Sequence, residues 1–374
     1  MRDRGPIPFS RYMELCLYDR EFGYYARNAA QFGKAGDFYT SSDVHAVFGR
    51  LMARQFDEMW RVLGRPESIS VTELGPGRGL FAQDVLDWSE KKFPDFFRAL
   101  RYVLVESSPA LQQRMKEILA RHLGAGKAVL TGESVTPEAA DTPTIIFANE
   151  FFDALPVEIV SADGSLRVDQ HRGQFVERWV PPSAEEMEFL DRYSVHPEAG
   201  DRLEVGLAAQ QYASRVLDKL GGGFFVAIDY GYTRAEQLAG RHRGTLKAIR
   251  QHSVSASPYE APGEQDITAD VNFTALAAVA EGKGMAIQRL VTQSQFLLGV
   301  GEANQFADAF EDCRLPQERA KVALQLKHLV TPAGMGESFH VLVASKGVAE
   351  GKASALAGLS FGTRTGPNRG YQQR

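Results

Sequence analysis

The sequence predicts an α/β fold in which a mostly parallel sheet carries helices on both faces, and three observations predict it. Short apolar runs alternate with longer helical patterns, the runs are almost continuously apolar, and the chain has 374 residues with 44% hydrophobic side chains. At about 150 residues per domain, that length gives roughly two units or one α/β domain enlarged by insertions, with a sizeable core to bury. A strand covered on both faces loses the apolar-polar alternation of a half-buried strand. The runs in order are residues 70–74, 102–106, 127–130, 144–148 and 224–229. Two later runs, 286–291 and 339–345, close the far edge and bring the sheet to seven strands. Between the runs, apolar residues recur at helical spacing over 80–92, 108–121, 203–219 and 271–283.

Insertions interrupt this scheme. Residues 157–180 alternate apolar and polar around Asp163-Gly164 and His171-Arg172-Gly173, the pattern of antiparallel hairpins. Residues 232–270 are rich in Gly, Pro, Ser and charge, too long for an idle connection. Residues 294–330 read as amphipathic helix that packs on the chain's own sheet or on a second subunit, the first being favoured. The expected organisation is an aromatic-rich helical or lid preface over 1–45 and one domain over 46–346, with insertions at about 157–202, 232–270 and 294–335. A Gly/Ala/Arg-rich, disordered tail is expected over 347–374.

Composition narrows the function. The 42 basic and 47 acidic side chains leave a formal charge of −5, so no chain-wide positive field exists for non-specific nucleic-acid binding. Two cysteines, Cys16 and Cys313, cannot build a disulfide framework or a cysteine zinc site, which fits a reducing compartment. The eight histidines form no His-Glu-x-x-His pair or recognisable metal spacing, and no metal is expected. No run of about 18 apolar residues marks a membrane span. Arg11, Glu14, Asp19 and Arg20 break up the N-terminal apolar stretch that a secretory signal requires.

The sharpest local signal is Glu73-Leu74-Gly75-Pro76-Gly77-Arg78-Gly79-Leu80, set between a strand and a helix. Its three glycines permit a tight turn with close backbone approach, and the helix start beyond offers unpaired N–H groups. A dinucleotide fingerprint asks for its third glycine at position 80, where Leu80 stands. Glu106 ends the next strand and supplies the acceptor that ribose hydroxyls need. Turn and acid together fit a nucleoside without pyrophosphate. S-adenosylmethionine suits them, because its sulfonium and amino groups are cationic while its ribose donates hydrogen bonds. A nicotinamide-dependent oxidoreductase stays open as the alternative, as does a plain structural turn.

Beyond the fourth strand lies Asn149-Glu150-Phe151-Phe152-Asp153-Ala154-Leu155-Pro156. Open α/β sheets bind ligands beside the carboxyl ends of strands where strand order reverses, so this segment faces the reacting group. In a helical turn Glu150 and Asp153 share one face and can grip a guanidinium through charge-assisted bonds. Phe151 and Phe152 can exclude water or stack on the planar cation. The competing structural reading makes Asn149 a helix cap, Glu150 a solvated side chain and both phenylalanines core. Asp229-Tyr230-Gly231 ends the fifth strand alongside, making Asp229 a candidate for substrate contact or proton acceptance, or a cap. Asp266 and Thr268 precede the helix at 271–283, whose N-cap is expected at Asp270, and are available to the site mouth. His252 reads as a proton carrier or as surface decoration. The arginines of Gly362-Thr363-Arg364-Thr365-Gly366-Pro367-Asn368-Arg369-Gly370 read as a methylation-substrate mimic or a solvated tail.

These residues together resemble a known family, the MidA-like S-adenosylmethionine-dependent methyltransferases, whose mitochondrial members are complex I assembly factors that methylate a protein arginine. The matching segments include Leu17-Tyr18-Asp19-Arg20-Glu21-Phe22-Gly23-Tyr24-Tyr25, Gly36-Asp37-Phe38-Tyr39-Thr40-Ser41, the glycine turn, Val105-Glu106-Ser107-Ser108-Pro109, the segment from Asn149 and Gln265-Asp266-Ile267-Thr268. They run in family order over about residues 10–345. The resemblance implies a class I methyltransferase, Rossmann-like sheet with Glu73, Gly75, Pro76, Gly77, Gly79, Glu106, Ser107 and Asn149 on S-adenosyl-L-methionine. It implies Gly36, Asp37 and Thr40 as a lid over the methionine end of that cofactor. Glu150, Asp153 and Asp229 become its catalytic acids, and Phe151, Phe152, Tyr230, Asp266 and Thr268 face the substrate. The implied activity is protein arginine N-methylation of a protein partner, a respiratory complex I subunit or an analogous protein. The implied compartment is the cytoplasm for a bacterial protein and the mitochondrial matrix for eukaryotic members. A catalytically silent assembly scaffold on the same fold is the further alternative.

Overall fold

In the computed structural model the continuously apolar runs become the middle of a nine-stranded mixed sheet. Residues 5–27, 46–132, 142–250, 253–255, 257–349 and 351–361 are described. Along the chain the main strands are β1 (Ile69–Leu74), β2 (Leu100–Val105), β3 (Ala128–Thr131), β4 (Thr144–Asn149), β5 (Gly223–Tyr232), β6 (Ala286–Ile287) and β7 (Phe339–Lys346). In space they lie in the order β6-β7-β5-β4-β1-β2-β3. Pairs among β1 to β5 are parallel, whereas β7 runs antiparallel to β5 and β6.

The count exceeds the expected seven because two short pieces join the edges. Val271–Asn272 extends β5 in parallel, and Val291–Thr292 pairs with β7. The predicted strand at 286–291 is split. Ile287 faces Ala344 and Val291 faces Val341, so four steps on one side meet three on the other. One residue is extra, which is a bulge that interrupts the ladder.

Successive side chains of β5 point to opposite faces. Phe224, Val226 and Ile228 enter one core with helices α2 (Ala46–Val62) and α3 (Leu80–Lys92). Phe225 and Ala227 enter the other with α5 (Leu207–Leu217) and α6 (Phe273–Gly282). Helix α4 (Pro109–Ile118) follows β2, its first turn capped by the Ser108 side chain. The predicted helix at 203–219 begins only at Leu207, because Leu203–Val205 pairs with Glu158–Ser161 as a strand. Asn272, not Asp270, caps α6, its side chain accepting the N–H of Ala275 at 3.0 Å. Asp270 instead faces Lys247 and His242.

The 157–180 insertion forms the hairpins its alternation predicts. Arg172 and Gly173 both have positive φ at the tip of the second hairpin, as a two-residue turn of matching twist requires. These strands build a five-stranded antiparallel sheet with Ile7–Pro8 and Leu203–Val205. Helix α1 (Phe9–Tyr18) lays Phe9, Met13 and Leu17 against it, so this helix of the N-terminal preface belongs to the second layer. The predicted helical region 294–330 is helical, with α7 (Gln293–Glu302) and α8 (Pro316–Val330). Phe296, Leu297, Val300 and Leu329 pack into the core that holds β7, which puts this region on the chain's own sheet.

The expectation of a disordered tail from residue 347 is overturned for residues 351–361. Leu356 is fully buried, and Ala357–Leu359 forms a 3-10 turn against α2 and α7. Gly299 permits this approach, since a Cβ there would stand 2.3 Å from the Ala357 carbonyl oxygen. Glu58 accepts the N–H of Ala357 at 3.0 Å, and Gln55 accepts that of Gly358 at 3.0 Å. Residues 362–370, Gly36, Asp37, Thr40 and His252 lie outside the described residues. Among the described residues no helix is long and apolar enough to cross a membrane.

Candidate active site

Strand order reverses between β1 and its two neighbours, β2 and β4, and their carboxyl ends stop level with one another. Leu74 is opposite Val105 on one side and Ala148 on the other, so the glycine turn, Glu106 and Asn149 all emerge at one crevice. Gly75, Gly77 and Gly79 have φ of +64°, +54° and +79°, a region that a side chain makes costly. The Gly75 N–H donates to the Val105 carbonyl at 3.1 Å, and that of Gly79 to Pro76 at 2.9 Å. A Cβ on Gly75 would lie 2.6 Å from the Phe151 ring and one on Gly79 3.0 Å from Met115, whereas one on Gly77 meets nothing within 4 Å among the described residues. The turn is therefore packed at its two ends and open in the middle.

Two acceptors border that opening. Glu106 is half-buried, and its Oε1 takes the Ser108 N–H at 2.8 Å. Burial raises its pKa while the N–H groups of Ser108 and Ser107 lower it. Asn149 donates its Nδ2 to Glu150 at 3.1 Å, leaving Oδ1 buried without a hydrogen-bond partner among the described residues. An open backbone turn, a carboxylate and an orphaned carbonyl oxygen fit a nucleoside that presents ribose hydroxyls and an amino group as donors. Pro76 is buried in the turn and Ser107 is exposed beside Glu106.

Glu73 does not share that position. It is 4% exposed, receives the Tyr102 hydroxyl at 2.9 Å and lies beneath the turn. Burial pushes its pKa up to about 8, against the Tyr102 hydrogen bond.

On the β4 side the expected helical turn is absent. Glu150 has φ +50°, and its N–H donates back to Ile228 of β5 at 3.0 Å. Asp153 is buried, and its backbone carbonyl accepts the Ala269 N–H at 2.9 Å. Its pKa is pushed up to about 7, first by burial, then by Asp266, with the Ala154 N–H opposing. Phe151 is half-buried between Gly75 and Tyr212, their rings 5.0 Å apart. Phe152 departs from the expectation of substrate contact. At 3% exposure it is core, packed edge-on to Phe225.

Asp229 has the surroundings of the cap that its sequence position left open beside substrate contact. It is 1% exposed, and backbone N–H groups engage both its carboxylate oxygens. Burial and the acids Asp153 and Glu150 raise its pKa, and the N–H groups of Asp153 and Phe152 oppose the shift. Tyr230 is half-buried, its ring tilted against that of Phe339 with Lys247 Nζ 5.5 Å from its ring. Thr268 is buried in the strand Asp266–Thr268.

A family model described as an S-adenosyl-L-methionine-dependent methyltransferase matches residues 51–291, which takes in the turn, Glu106 and both acid-bearing strand ends. The chain belongs to that methyltransferase family. Its cofactor is S-adenosyl-L-methionine, and the oxidoreductase alternative lapses. The chain is 29% identical to the Drosophila melanogaster protein arginine methyltransferase NDUFAF7 homolog, mitochondrial, over 92% of this chain and 82% of that protein. It is 27% identical to the human protein arginine methyltransferase NDUFAF7, mitochondrial, over 91% and 80%. A COG1565 superfamily member from Burkholderia thailandensis, solved with S-adenosyl-homocysteine bound, superposes with a TM-score of 0.82. It is 29% identical, covering 95% of this chain and 92% of that one.

The methyltransferase site also has members that sequence reasoning missed. Tyr18 donates its hydroxyl to the Ala154 carbonyl at 2.9 Å, and Tyr25 donates to Asp266 at 3.2 Å, with their rings 5.4 Å apart. Both come from the preface, over 130 positions before their partners. The only sequence signal was their inclusion in a family-like segment.

Proposed function

We propose that this methyltransferase modifies an arginine of a protein partner, and that Glu150 and Asp153 receive the guanidinium. The observation that carries the reading is the gathering of Glu150, Asp153 and Asp266 around the ends of β4 and β5, beside aromatic rings and next to the cofactor turn. An arginine side chain is protonated at neutral pH, so acids must hold its charge and take up the proton released when nitrogen is alkylated. When bound, S-adenosyl-L-methionine supplies the electrophilic methyl group. Gly75, Gly77 and Gly79 would give it an open backbone turn, Glu106 would accept from its ribose, and Asn149 Oδ1 from its amino group. Asp153, raised to about 7, is matched to accepting a proton near neutrality. Phe151 would exclude water on the cofactor side. The names of relatives matched over about nine-tenths of the chain support arginine as acceptor. The family resemblance points to a complex I subunit or an analogous protein as target.

The test is incubation of the purified chain with labelled S-adenosyl-L-methionine in a lysate of cells that lack it, followed by peptide mapping of the label. A methyl group on one arginine of one protein is the expected result. Label confined to another residue type or to a small molecule would overturn arginine as acceptor.

A further inference from the structure

We infer that Asp229 is a positioning residue of the methyl transfer: it fixes the loop after β4 against the cofactor turn through the backbone and exchanges no proton itself. The inference rests on membership of the methyltransferase family and is independent of which acceptor is methylated.

Three consecutive amides converge on one oxygen. Asp229 Oδ2 accepts the N–H of Phe151 at 3.1 Å, of Phe152 at 2.9 Å and of Asp153 at 3.2 Å, while Oδ1 accepts that of Tyr230 at 2.9 Å. Successive N–H groups bent around an anion form a concave cradle, and an ionised carboxylate is an acceptor with room for all four donors. Here the acceptor is a carboxyl of the chain itself, so the cradle closes the loop instead of opening it to a ligand. A buried carboxylate without such donors would be strongly disfavoured.

The consequences run both ways along the loop. Just upstream, Glu150 occupies the left-handed region at φ +50°, which a non-glycine residue keeps only where its surroundings over-determine it. The Asp229 anchor on one side and the Ile228 carbonyl on the other supply that constraint. Within the loop, the Phe151 ring stands where a Cβ on Gly75 would need to be. The anchored amide of Phe151 thus sets the wall of the cofactor turn, and that of Asp153 sets the acid on the acceptor side. One buried carboxylate aligns both halves of the reaction.

The experiment compares Asp229→Asn with Asp229→Ala. Asparagine retains an oxygen for the three converging amides and sets an amide group against the Tyr230 N–H, whereas alanine removes every acceptor. Methyl incorporation into lysate, its pH profile, S-adenosylhomocysteine affinity and amide hydrogen exchange at residues 151–153 are measured. The expected result is that Asp229→Asn transfers methyl at least about tenfold faster than Asp229→Ala, with a wild-type pH profile and protected amides. Asp229→Ala loses protection at 151–153 and binds the nucleoside about tenfold more weakly. Should Asp229→Ala fail to fold, the pH profile and exchange of Asp229→Asn decide alone. An inactive Asp229→Asn with native amide protection and native nucleoside affinity would make Asp229 a proton acceptor and overturn the inference. So would native protection in Asp229→Ala.

Discussion

Gly75 and Gly77 differ in what surrounds them, and alanine at each should fail for a different reason. At Gly75 the left-handed backbone costs a non-glycine residue about 1–2 kcal/mol. The added methyl would also sit 2.6 Å from the Phe151 ring, an overpacking cost of about 1–3 kcal/mol. Gly75→Ala should therefore lose about 2–5 kcal/mol of stability, a large share of the roughly 5–15 kcal/mol a domain has. Gly77→Ala carries the backbone cost alone, because none of the described residues stands within 4 Å of its Cβ. Its methyl projects instead into the space assigned to the nucleoside and should weaken S-adenosylhomocysteine binding tenfold or more, about 1.4 kcal/mol. Adding Phe151→Ala should recover the packing part of the Gly75→Ala loss, a coupling of about 1 kcal/mol or more between touching residues, and do nothing for Gly77→Ala. Urea unfolding gives the stabilities and calorimetry the affinities. Strict additivity of Gly75→Ala with Phe151→Ala, or native affinity in Gly77→Ala, would refute the packed-ends, open-middle account of the turn.

Three further outcomes are expected. Glu73 has its pKa raised from 4.5 to about 8 by burial, so the folded state holds its proton more tightly than the unfolded chain. Its contribution to stability is full below about pH 4.5 and is lost as pH rises through about 8, at up to about 1.4 kcal/mol per pH unit. Glu73→Gln, neutral throughout and still able to accept the Tyr102 hydroxyl, should flatten that part of the decline in urea titrations between those limits. An unchanged slope would mean that Glu73 is ionised when folded. Leu356→Ala should cost about 2–5 kcal/mol and lower the melting temperature, which native melting would contradict by showing the terminal turn detached in solution. Glu150→Gln combined with Asp153→Asn should lower methyl incorporation by about a hundredfold or more while calorimetry shows nucleoside binding within a few-fold of native. Full incorporation by the pair would show that neither acid is needed to hold the acceptor or take its proton.

The sheet was legible because burial on both faces writes itself into consecutive residues: Thr144–Asn149 and Gly223–Tyr232 are nearly unbroken apolar runs. Helix α3 was legible because Gly79 and Phe93 bound its periodic stretch. Elements decided by a distant partner were not. Leu203–Val205 carries residues that suit a helix and becomes a strand because Glu158–Ser161 offers it a ladder. The terminal turn reads as low-complexity and is ordered by Gln55 and Glu58, about 300 positions earlier.

The site divides along the same line. Which residue types meet at the strand ends follows from strand order, and so Gly77, Glu106, Glu150 and Asp153 were nameable from sequence. Which way each side chain faces follows from contacts far apart in sequence. Phe151 and Phe152 are equivalent as letters, yet one lines the turn at the edge of the core and the other fills that core. Asp229 and Asp153 are likewise both acids at strand ends. The one whose oxygens meet four amides, from residues 151–153 and 230, is consumed in holding the loop. The other, Asp153, meets no such set of amides at its carboxyl among the described residues, and it is the acid proposed to take the proton. An acid's role at such a crevice is therefore set by how many backbone donors converge on it, a quantity that strand registry fixes and that no local motif encodes.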